Sequence, residues 1–183
     1  MQNILSKDNY EDGMVIMKRL LSKRGITLLE LMASVVIIGI LAAMAAPSFD
    51  RSVQRIKFRG ETKDIVSLLR MARSEAITKK EPYGVYFDNQ SKIISFFRDD
   101  ANLASYTYDY GSDSLISVDS LPSEIVYLYA TFTNSAVIFQ SNGSASGSGY
   151  IYMIALSSGI VNTSGASVLA STGKSKVEFI HNY

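Results

Sequence analysis

The sequence predicts an α+β fold: one long N-terminal helix followed by an antiparallel β body. Three observations carry this. Ile26 to Ala46 is apolar apart from Thr27, Glu30 and Ser34. Residues 58–76 then place apolar side chains at helical spacing. After Glu81-Pro82 the period changes to two, in short runs separated by turn-forming residues.

The first element is the apolar run. A helix over 26–46 rises ~1.5 Å per residue and so spans ~30 Å, the hydrocarbon thickness of a bilayer. Lys18, Arg19, Lys23 and Arg24 precede it. Positive flanks hold that side in the cytoplasm, which places the residues after 50 beyond the inner membrane. Its one acid, Glu30, has a plain structural reading. Thr27-Leu28-Leu29-Glu30 is a capping-box pattern, whose hydroxyl and carboxylate satisfy free N–H groups at a helix start. A secretory signal peptide cut near "AMAAP" at 43–47 is a rival reading. It leaves Glu30 unexplained and needs an unusually long apolar region.

The helix is expected to continue over 47–80, with a bend at Pro47 and a weak point at Gly60. Phe58, Ile65, Leu68, Leu69, Ala72 and Ala76 form its apolar stripe. Arg59, Lys63, Arg70 and Arg73 fall mostly on other faces and read as solvated charge.

The body follows. "YGVYFD" at 83–88 and "KIISFF" at 92–97 read as strands joined by a hairpin at 89–91. Residues 98–122, rich in Asp, Ser and Tyr, read as a long surface loop. Strands are expected at 125–132, 136–139 and 150–156, with "SNGSASGSG" at 141–149 as a turn or flexible loop. "GIVNTSG" at 159–165 reads as turn-like with a short strand. Strands at 167–171 and 176–180 close the chain as a hairpin around Thr172-Gly173-Lys174.

Charge is unevenly placed. Residues 51–80 carry nine Lys/Arg and three Asp/Glu, whereas 81–173 carry two and eight. There is no cysteine, which excludes disulfides, thiolate zinc sites and a cysteine nucleophile. The single histidine, His181, stands near the end, so no His-based triad or His-cluster metal site is expected. No G-x-S-x-G elbow, phosphate loop or dinucleotide fingerprint is present. The composition points away from an enzyme, and no cofactor is expected.

The stretch "KRGITLLELMASVVIIGILAAMAAPSF" resembles the N-terminus of type IV pilins and type II secretion pseudopilins. The resemblance covers the basic leader, Gly25, the fifth mature position Glu30, the apolar helix with Gly39, and Pro47. It implies a 1–25 leader cut between Gly25 and Ile26 by prepilin peptidase, and N-methylation of Ile26, where Phe is usual. Initiation at Met14 or Met17 would give a shorter leader, "MKRLLSKRG" in the latter case. Cleavage creates an ammonium on Ile26, costly in hydrocarbon unless paired. In this family the carboxylate at the Glu30 position answers the amine of a neighbouring subunit.

"LLRMARSEAITKKEPYGVYFD" at 68–88, with "FQSNGSASG" at 139–147 and "ASTGKSKVEF" at 170–179, is similar to the GspH/FimT family of minor pilins and pseudopilins. That resemblance implies a pilin-like fold whose body is two packed antiparallel sheets, with a globular domain over 47–183. It implies a structural subunit of a type II secretion pseudopilus or a type IV pilus. Its partners would be other pilin-like subunits, prepilin peptidase, the inner-membrane assembly platform and, before assembly, the lipid bilayer. The span 26–46 would serve as membrane anchor first and filament core second, and 81–183 would be the β body.

Two further sites are weaker. "GKSK" at 173–176 stands where some FimT proteins carry a DNA-contacting G-R-x-R motif. Lys174 and Lys176 keep the charge but lack the guanidinium fork, and a hairpin turn with solubilising charges is the preferred reading. "DYGSD" could bring Asp109 and Asp113 to one calcium ion. Its spacing is not that of an EF-hand, and a solvated acidic loop is the alternative.

Overall fold

The computed structural model describes residues 26–101, 105–157 and 160–179. The leader with Gly25, and also His181, lie outside them. The chain divides at Pro47 into two units, Met1–Pro47 and Ser48–Tyr183.

Helix α1 runs Leu28–Lys79, with Pro47 inside it. Within the first unit every described side chain is exposed. Such a surface suits lipid or other helices rather than water.

In the second unit α1 buries Phe58, Thr62, Ile65, Leu69, Ala72 and Ala76, in alternating steps of four and three. That spacing keeps one face turned to the body. Val66 widens the stripe, and Leu68 packs at its margin. The apolar pattern anticipated this face except for Thr62. Its hydroxyl donates to Ser164 Oγ at 2.8 Å, a buried bond between helix and sheet.

Eight strands follow: β1 Tyr83–Asp88, β2 Ile93–Arg98, β3 Ser114–Ser120, β4 Ile125–Ala130, β5 Ala136–Phe139, β6 Gly149–Ser157, β7 Ile160–Leu169 and β8 Lys174–Phe179. They form two four-stranded antiparallel sheets, ordered β3-β2-β1-β5 and β4-β6-β7-β8. The inner faces of both sheets share one core with α1, including Val85, Phe87, Leu128, Ile151 and Met153. The expected α+β fold with two sheets is what the chain adopts.

Three local readings change. The loop expected over 98–122 contains β3. This strand pairs with β2 alone, and its Leu115, Ile116 and Val118 are all exposed. An edge strand covered on neither face leaves no alternation of burial to read. Second, the short strand expected within 159–165 and the strand expected at 167–171 fall on one strand, β7, Ile160–Leu169. β7 pairs with β6 along its length and with β8 over Ser164–Leu169, and Gly165 sits mid-strand because a Cβ there would strike the Ile151 carbonyl. The β6 ladder outweighs the turn propensity of Asn162 and Thr163, and the β8 ladder adds to it at Ser164 and Gly165. Third, 141–149 is tied down. Gln140 N–H donates to the Ser144 carbonyl, and Ala145 N–H to that of Ala170, both at 2.8 Å.

The outer face of the first sheet is covered by chain from the 98–113 segment. Tyr108 packs on Phe97 and Tyr86, with ring centroids 4.7 and 5.3 Å away. Phe97 in turn lies across Gly84, where a Cβ would meet its ring.

Candidate functional site

The helix start realises the hydroxyl half of the capping pattern, while no hydrogen bond to the Glu30 carboxylate is present among the described residues. Thr27 Oγ1 accepts the Glu30 N–H at 3.1 Å, and the Thr27 carbonyl accepts the N–H of Leu31 at 3.1 Å. The hydroxyl bond satisfies an N–H that has no partner inside the helix, and the carbonyl bond is the first of the helix's own ladder. The Glu30 side chain is exposed, and it has no ion-pair partner among the described residues. Ile26, one residue before the cap, is 71% exposed. Further along, Ser34 donates to the Glu30 carbonyl at 2.8 Å. The span's hydroxyl is thus satisfied within its own helix. Glu30 is left as a bare carboxylate on an apolar surface, one turn from Ile26.

The Asp109–Asp113 corner is organised by backbone donors. Asp113 is buried, and its carboxylate accepts N–H bonds from Asp100, Ala101 and Asp109 at 3.0, 3.2 and 2.7 Å. That engagement makes Asp113 the anchor of the corner. Among the described residues no group of three or more potential metal-binding side chains comes together. Asp99, which the sequence did not single out, lies beside this corner. It is 2% exposed and neither carboxylate oxygen has a hydrogen-bond partner. Burial first, then the charges of Asp113, Asp109 and Asp100, push its pKa up to about 6. Its neighbour Asp100 is held below the usual range, first by the Ser114 hydroxyl and also by Arg98. Adjacent acids in sequence thus meet opposite environments, and no sequence signal separates them.

Lys174 and Lys176 are both exposed on β8, at the hairpin where the sequence placed them. Lys176 is paired with Glu178 at 3.2 Å, which lowers the Glu178 pKa after the stronger effect of the Ser167 hydroxyl. Lys174 shares one concavity with Lys176 and also borders a second cleft with Arg70 and Arg73 of α1. Arg73, read as solvated charge, is half-buried, and its Nε donates to the Gly143 carbonyl at 2.9 Å. Glycines crowd it: Gly173 has φ +62°, and a Cβ there would strike the Gly143 carbonyl and lie 3.0 Å from Arg73 Nε. No local pattern in the sequence announces this contact, because it joins residues 70 and more positions apart.

The family model described as "Type II transport protein GspH" matches residues 61–173. That described as "Prokaryotic N-terminal methylation motif" matches residues 20–46. A search of curated proteins returned no match. Among solved structures, the chain is similar to the type IV minor pilin FimU of Pseudomonas aeruginosa, with a TM-score of 0.53 at 13% identity. That alignment covers 68% of this chain and 90% of the other. The minor pseudopilin EpsH of the Vibrio cholerae type 2 secretion system aligns with a TM-score of 0.48 at 11% identity, covering 66% and 95%.

Proposed function

Because the chain belongs to the GspH family of minor pseudopilins and pilins, we propose that it is assembled through its N-terminal helix into a pseudopilus or pilus, as a non-enzymatic structural subunit. In this reading residues 1–25 are a leader removed by prepilin peptidase between Gly25 and Ile26. Residues 26–46 anchor the chain in the inner membrane with the body outside, then become filament core. The body, 47–183, offers the surface met by neighbouring subunits.

The observation that supports this most is the bare Glu30 carboxylate in the first turn of an exposed apolar helix. A plain membrane anchor gains from that charge only the modest stabilisation of an acid at a helix N-terminus, in addition to the Thr27 cap. A new ammonium on Ile26 of an adjacent subunit would give it an opposite charge in a medium where unpaired charges are costly. DNA contact through Lys174 and Lys176 has less support. Lys176 already has a carboxylate partner, and the 81–173 segment carries an excess of acid.

The test is the mature N-terminus together with Glu30→Leu. Intact mass should give a chain beginning at Ile26, with one added methyl group. Glu30→Leu should insert into membranes normally but fail to co-purify with sibling subunits. A mature chain starting near Pro47, or unimpaired co-assembly of the variant, would overturn the reading.

A further inference from the structure

We propose that the cleft between the C-terminal turns of α1 and the β7–β8 turn is a carboxylate-binding site, which receives an acidic side chain from a protein neighbour. That the neighbour is a filament subunit rests on the assembly reading above; the carboxylate chemistry does not.

The cleft has a volume of about 340 Å³. Arg70, Arg73 and Lys174 line it together with Ser74 and Ser175, and no Asp or Glu does. None of the three cations has an ion-pair partner among the described residues. The other cations after residue 81 are engaged: Arg98 with Glu81 and Asp100, Lys92 with the Ile125 carbonyl, Lys176 with Glu178. Three unanswered positive charges in one concavity repel one another until an anion enters.

A second observation is independent of charge. Ser175 is 5% exposed, lines the cleft, and its Oγ has no hydrogen-bond partner. Buried hydroxyls are normally satisfied, so an orphan beside a cationic cleft points to a missing acceptor. The guanidinium next to it is already fixed. Arg73 gives Nε to Gly143, and Gly143 and Gly173 approach it closely enough that neither position has room for a Cβ without displacing a neighbour. Its terminal amino groups form a planar fork matched to two carboxylate oxygens. Arg70 is steadied by a 3.4 Å bond to the Ser175 carbonyl. A site held in place before binding loses little on ordering.

The ligand is a single carboxylate rather than a nucleic-acid strand because the unanswered positive charge here is confined to the three cations that line this cleft. Lys174 also lines a neighbouring concavity with Lys176, but Lys176 is ion-paired with Glu178. A phosphodiester chain needs a row of cations along its backbone, and its many charges would meet the acidic body.

The experiment titrates the full chain, in zwitterionic detergent at low salt, with a fluorescein-labelled peptide carrying glutamates among Ser and Gly. A twin peptide carries glutamine instead. The Glu peptide should bind, and its twin about tenfold or more weakly. The double variant Arg70→Gln/Lys174→Gln should weaken the Glu peptide by at least about tenfold, since both residues are exposed and replaceable without touching the core. Lys176→Gln should leave binding unchanged. Equal binding of both peptides, or indifference to the double variant, overturns the proposal. So does tighter binding of a single-stranded oligonucleotide that Lys176→Gln weakens equally, which would mark a nucleic-acid surface. Failure here leaves the Glu30 reading standing, because that depends on α1 alone.

Discussion

Asp99 is the residue at which pH should act on this fold. Its folded-state pKa of about 6 exceeds the ordinary 3.8, so between those values the folded chain keeps a proton that the unfolded chain has released. The ionised form therefore costs stability above about pH 6, and that cost fades as pH falls through 6 toward 3.8. Asp99→Asn should raise stability at pH 7 by about 1–3 kcal/mol and change it little at pH 4. Urea unfolding at both pH values checks this; an equal change at each would assign the effect to packing instead. Asp113, also buried, differs because three N–H groups already face its carboxylate. In sequence the two are ordinary acids of one loop. Only their partners distinguish a satisfied carboxylate from an orphaned one.

At the scale of elements, α1 was legible because its alternating three–four spacing is a direct imprint of helical geometry on one buried face. Leu69 is fully buried at the centre of that stripe. Leu69→Ala should lower stability by about 2–5 kcal/mol, measured by denaturant unfolding; a loss below 1 kcal/mol would show that the helix contributes little to the core. The β7–β8 hairpin was legible as a turn but not as a contact. Gly173 combines positive φ with backbone crowding at Gly143 and Arg73. Gly173→Ala should therefore destabilise by about 2 kcal/mol or more. Gly111→Ala, with φ +83° but open space around it, should cost about 1 kcal/mol. Thermal melts of the pair separate crowding from backbone strain. β3 and the continuous β7 escaped the sequence because strand identity there comes from neighbouring ladders, not from local alternation.

At the scale of the molecule, the chain separates into an apolar helical unit and a body with a shared core. Every residue of that core lies at or after Phe58. A chain beginning at Ser48 should thus fold without the membrane segment, with cooperative unfolding and a β-rich circular dichroism spectrum. Its precipitation or lack of a transition would mean that residues before Ser48 are needed for folding. The fold class, the apolar span and the family motif were fixed by the sequence itself. Each depends on periodicity, length or order along the chain, and these survive without a third dimension. Tertiary structure alone decided that Arg73 sits between two glycines, that Asp99 is buried without a partner, and that Lys174 and Lys176 have different company. Those properties are made by residues far apart in sequence, and burial and pairing exist only once the sheets and helix have closed around them.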